Sequence, residues 1–187
     1  MRDLWRLPDT AVIGGREYRI NADFRDILEI IGYLNDPQEP EYIRWKIAVG
    51  LFFDGEIPAA DEQEAMEYLA DFLSGGQREE AGKPAPVLLD WEQDCQVIVA
   101  EVNKVAGREI RSLPFLHWWT FLSWFHGIGE GQLLTLVSIR DKLRRGKKLE
   151  KWEQEYYREH KSRVDLKQRY TAEELAQQER LKKLLEE

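Results

Sequence analysis

The sequence predicts a mainly α-helical fold with a small N-terminal β-hairpin and a charged helical C-terminal extension. Three observations carry this reading. Apolar residues recur at helical spacing through most of the first 140 residues. Two short β-prone runs flank a Gly-Gly pair near the start. Beyond residue 140 the chain is mostly Lys, Arg, Glu and Gln, a composition that favours helix but offers little apolar surface. The expected organisation is a helical globular domain over 1–140, interrupted by a flexible loop at 74–86, and a charged helical tail over 141–187.

Residues 10–20, TAVIGGREYRI, read as the hairpin. Gly14 and Gly15 suit a tight primed turn, and a lone hairpin must pack on something to persist. Asn21 is then placed to cap a helix over 22–34. Its residues Phe24, Ile27, Leu28 and Ile31 fall at i, i+3, i+4 and i+7, one buried face. Asp36-Pro37 and Pro40 stop it. A second helix over 41–53 is apolar on much of its circumference (Ile43, Trp45, Ile47, Val49, Leu51, Phe52 and Phe53) and reads as a core element. A third, over 61–73, turns Met66, Leu69, Phe72 and Leu73 inward.

After the Gly- and Pro-rich loop, Asp90 opens a fourth helix, with Gln93 three residues on as the partner of a capping box. Trp91, Cys95, Ile98, Val102 and Val105 form its expected inner stripe, which makes Cys95 a small buried hydrophobe, and Gly107 ends the helix. Another helix begins near Glu130 and carries Leu133, Leu134, Leu136, Val137 and Ile139. The tail carries a sparse stripe of Leu149, Trp152, Tyr156, Leu166, Tyr170, Leu175, Leu181 and Leu184. That stripe either docks on a partner or frays.

Between these helices lies the densest feature of the chain, FLHWWTFLSWFHGIG at 115–129. Its polar residues His117, Thr120, Ser123 and His126 step by three, so they drift around a helix axis and leave no single wet face. Such a helix belongs in a core, or else in an interface, where aromatic residues are favoured. We take His117, Trp118, Trp119, Phe121, Trp124 and Phe125 as the candidate aromatic hub.

Composition narrows the functional classes. The chain has 187 residues, 33% of them charged, and a formal net charge of −8. General attraction to nucleic acid or anionic lipid is therefore not expected. One cysteine excludes an internal disulfide. The N-terminus lacks the apolar core of a signal peptide, and the aromatic run is too short to span a bilayer, so the expected location is cytoplasmic with no membrane contact. His117 and His126 fall on opposite sides of a straight helix, and no Cys or His pair has metal spacing, so neither metal nor cofactor is expected. No nucleophile–base pair or phosphate loop is evident, and a non-catalytic protein is the reading. One local reversal of sign stands out: Arg140, Lys142, Arg144, Arg145, Lys147 and Lys148 lie close together, with Asp141 and Glu150 among them. This run could contact phosphates or the acidic surface of another protein, a second copy of this chain included, and the overall acidity favours protein.

The segments REYRINADFRDILEI, LLDWEQDCQVIVAEVNKVAGREI and LHWWTFLSWFHGIGE, in that order, resemble a family from tailed bacteriophages and prophages of Gram-positive bacteria. Genes of that family lie just upstream of the tape measure gene, the usual position of tail assembly chaperones. The resemblance implies a helical protein that coats the tape measure protein, keeps it soluble, and recruits tail tube subunits. It implies action in the cytoplasm of the bacterial host and absence from the mature virion. Two other roles use the same sequence features: a structural minor tail or connector component of the virion, and a nucleic-acid-binding regulator acting through the basic run.

Overall fold

The computed structural model describes residues 5–76, 86–171 and positions 173, 174, 176, 177 and 180. The chain divides into two compact units, Met1–Gly76 with Gln168–Glu187, and Gln77–Lys167. Most of the loop expected at 74–86 and the stripe residues Leu175, Leu181 and Leu184 lie outside the described residues.

The first unit opens with β1 (Thr10–Ile13) and β2 (Arg16–Ile20), paired antiparallel with Ile13 opposite Arg16. This register leaves Gly14-Gly15 as a two-residue turn with φ of +56° and +75°, as the sequence predicts. A Cβ on Gly14 would also sit 2.3 Å from an Asp61 carboxylate oxygen. A short strand, β3 (Phe53–Asp54), adds to the free edge of β2.

Helix α1 (Phe24–Leu34) begins two residues later than expected, because Asp23 caps it and accepts from the Arg25 N–H. Asn21 instead ties strand to helix: its amide donates to the Leu51 carbonyl at 2.7 Å. Helix α2 (Glu41–Phe52) packs along α1. It buries Ala48, Val49 and Phe52, while Ile47 and Leu51 stay more than one third exposed. The all-round core helix of the sequence reading is thus corrected. α2 lies on the surface of this unit, and Phe53 leaves it to join the sheet.

A 3₁₀ turn (Ala59–Asp61) leads into α3 (Glu62–Leu73), which buries Ala65, Leu69 and Phe72. Ala65 takes the inward place expected of Met66. The core centres on Phe52, whose ring lies 4.9 Å from both Phe53 and Phe72.

The second unit contains α4 (Cys95–Ala106), a 3₁₀ turn (Ile110–Ser112), α5 (Trp118–His126), α6 (Gln132–Arg144), α7 (Lys151–Glu159) and α8 (Lys161–Val164). The expected start at Asp90 is corrected by five residues. Asp90 accepts from the N–H groups of Glu92 and Gln93, which closes a turn, and helix follows only from Cys95. Gln93 makes no capping box and reaches residues 163–167 instead. α4 touches both α5 and α6, so its buried band widens to Val97, Ile98, Val99, Glu101 and Val102. Cys95, expected to be buried, is exposed, and Val105 is 41% exposed. Gly107 ends the helix in the left-handed region, as expected.

α6 runs through the position of the expected division at 140, and Leu149 and Val164 of the tail pack on Leu136 and Ile139 of α6. The near part of the tail therefore docks on its own chain. No helix among the described residues is long and apolar enough to cross a membrane.

Candidate partner-binding surface

The aromatic segment folds locally for definable reasons. His117 adopts an extended conformation, and its Nδ1 accepts the Trp119 N–H at 3.0 Å, capping α5. At the other end the Gly127 N–H donates to the carbonyls of Ser123 and Trp124. Between these caps one side of the helix faces the unit's core. Trp118 and Phe121 are 1% exposed and their rings stack at 5.4 Å. Phe121 stacks in turn on Phe125 at 6.4 Å.

Trp91 completes the cluster, 6.0 Å from Trp118 and 5.0 Å from Phe125. The sequence shows Trp91 as the first residue of an α4 stripe. It belongs instead to the turn before that helix, which aims it at α5. The hub therefore splits. Trp118, Phe121 and Phe125 gather around Trp91, while Trp119 lies 6.1 Å from the His117 ring, itself 6.5 Å from Phe115. Trp124 is half-buried, as is Trp119, and Phe115 is 57% exposed. α5 thus has a sealed side flanked by the half-buried Trp119 and Trp124, with Phe115 exposed just before its first turn. Val105, Leu134 and Val87 add exposed aliphatic surface elsewhere in the unit.

The basic run is corrected at its first residue. Arg140 is not a surface contact: its side chain is 4% exposed and forms a two-pronged ion pair with the fully buried Asp94, at 2.6 and 2.9 Å. The same guanidinium donates to the carbonyls of Leu88, Arg163 and Val164. Lys142 is drawn to the buried Glu153 at 2.7 Å. There burial pushes the carboxyl up, but hydrogen bonds from Lys142 and the Glu150 N–H hold it below the usual carboxylate range. Arg144 and Arg145 both pair with Asp141, and Lys147 and Lys148 are exposed.

A third buried carboxylate, Glu101, pairs with Lys104 at 2.9 Å and accepts the Gln132 N–H at the start of α6. A Cβ on Gly131 would lie 2.8 Å from it, so the close approach depends on that glycine. Periodicity missed Asp94, Glu101 and Glu153 because each is a charged residue whose burial depends on a partner far along the chain or on the next helix. Among the described residues no cluster of His, Cys, Asp or Glu is placed to hold a metal ion.

The surface offers aromatic and aliphatic side chains backed by a rigid core, a chemistry suited to taking up apolar side chains of another polypeptide. No curated protein and no solved structure matches the chain. The family model described as Bacteriophage Gp15 protein matches residues 5–166, and the chain therefore belongs to that bacteriophage family.

Proposed function

We propose that this chain is a phage tail assembly protein, a chaperone that binds the tape measure protein and helps recruit tail tube subunits. The observation that carries the proposal is the aromatic segment at 115–125, part sealed and part accessible. Trp118 and Phe121 are sealed in the core, while Phe115 projects and Trp119 and Trp124 are half-open. Solvent-exposed aromatic surface on a rigid support is what a binder of long amphipathic helices needs. Membership of a bacteriophage family supports the same reading, and so does the position of such genes upstream of the tape measure gene that the sequence resemblance implies. Many copies along one filament would bind by avidity, without high affinity at each site.

Co-expression tests it. A tape measure fragment from the same phage should stay soluble and co-purify with this chain, and Phe115→Glu should weaken recovery while leaving the fold intact. If the fragment precipitates equally with and without the chain, the proposal fails. The rival reading, a minor tail or connector component, predicts the chain in purified virions. The chaperone reading predicts its absence there.

A further inference from the structure

The α7–α8 segment is held onto the second unit in an unusual way. Its aliphatic anchors are few: Leu149 and Val164 join Leu136 and Ile139, with Tyr156 and Tyr157 packed alongside. Leu136, Ile139 and Leu143 sit at i, i+3 and i+7 on α6 and so share one stripe. The segment seals the first two and leaves Leu143 36% exposed, so the stripe outruns its cover.

One polar anchor is a side-chain pair, Lys142 of α6 with Glu153 of α7 at 2.7 Å, and the others address main chain. Arg140 donates to the carbonyls of Val164 at 2.7 Å and Arg163 at 2.8 Å. The Gln93 side chain donates to the carbonyls of Arg163 and Asp165 and accepts the Lys167 N–H at 2.9 Å. Any polypeptide carries those partner groups. The cover also brings a burden. The buried Tyr156 hydroxyl has no hydrogen-bond partner among the described residues. Leaving it unpaired costs free energy in a dry site. Asp94, which orients Arg140, lies at the start of α4 and would keep the clamp formed if the cover left.

We propose that the α6 stripe and the Arg140–Gln93 clamp form a groove for an amphipathic helical segment of another polypeptide. In the free chain residues 149–167 occupy that groove and must detach to admit it. The proposal deepens the chaperone reading and rests on it for the identity of the incoming chain. Displacement follows from competition: the incoming segment supplies the same carbonyls and fills the stripe as far as Leu143.

Hydrogen exchange on the full chain, and binding of a labelled peptide spanning residues 149–167, test the groove. Amides of 151–164 should exchange at least tenfold faster than those of α6. Opening the groove with Leu149→Ser and Val164→Asp should tighten peptide binding at least tenfold. Adding Gln93→Ala should then weaken binding severalfold with unchanged circular dichroism. Exchange in 151–164 as slow as in α6, or peptide binding no tighter in the opened variant, overturns the proposal. So does a dimer seen by light scattering that Val164→Asp abolishes, since the occupant would then be a second copy. Peptide exchange without tape measure capture would sink the chaperone reading alone. Capture with a static cover would sink the groove alone.

Discussion

A guanidinium has five N–H groups, and Arg140 directs them to Asp94 twice and to the carbonyls of Leu88, Arg163 and Val164. Full satisfaction is what permits a charge at 4% exposure, because an unpaired one would be prohibitive. Removing one member of the pair should therefore be far worse than removing both. Asp94→Ala is expected to cost about 3–5 kcal/mol in denaturant unfolding, against much less for Asp94→Leu with Arg140→Met. Equal losses for the single and double variants would contradict this account. The aromatic helix makes a parallel contrast. Trp118→Ala opens a cavity in the core and should cost about 3–5 kcal/mol, whereas Phe115→Glu changes an exposed side chain and should alter stability by about 0.5 kcal/mol or less. A role in partner binding is separable from folding only at positions of the second kind.

At the scale of elements, the connection between α4 and α5 is pinned by a small polar cluster with a pH signature. Glu109 accepts from the Arg111 side chain and backbone and from Asn103, whose own oxygen accepts the Ile110 N–H. Hydrogen bonds from Arg111 lower the Glu109 carboxyl from 4.5 to about 2. A depressed carboxylate lends stability that is fully present above its unfolded value near 4.5 and disappears as pH falls toward 2. An NMR titration should place the Glu109 midpoint near 2, and Arg111→Ala should return it toward 4.5. A midpoint already near 4.5 in the unaltered chain would refute the cluster. Local chemistry of this kind also marks what the sequence could reveal. Gly14-Gly15 announced the hairpin, Gly107 the end of α4, and the Phe24–Ile27 spacing the inner face of α1, because each depends on neighbours within one turn. The start of α4, the orientation of Trp91 and the docking of the tail depend on contacts across tens of residues. Asp94 meets Arg140 46 positions away, and Gln93 meets Lys167 74 away. Periodicity carries no information at that range, and it reads charged residues such as Glu101 and Glu153 as surface until their partners are known.

For the molecule as a whole, charge separates along the chain. Residues 1–76 hold sixteen acidic against seven basic side chains, and residues 140–169 hold twelve basic against six acidic. In isolation the second segment would read as a nucleic-acid arm, yet much of its charge is engaged internally. Arg140 is neutralised by Asp94, Lys142 by Glu153, and Arg144 and Arg145 share Asp141. Lys147, Lys148 and Lys151 are exposed near the α6–α7 turn and make no ion pair among the described residues. About three phosphate contacts would give a salt slope near −2.7, so binding to duplex DNA should be feeble at about 0.15 M salt. A protein partner suits this surface better, since opposite charges can be matched at fixed positions while apolar anchors supply most of the affinity. The regulator reading and the assembly reading therefore part on one comparison. A gel shift at physiological salt, repeated with Lys147→Glu and Lys148→Glu, should show no complex for either protein. Capture of a tape measure fragment by the same pair of proteins should be affected only in its salt dependence and on-rate, because rim charges act mainly on encounter. A DNA complex at physiological salt that the double variant abolishes would reverse the choice and make the exposed lysines the working surface.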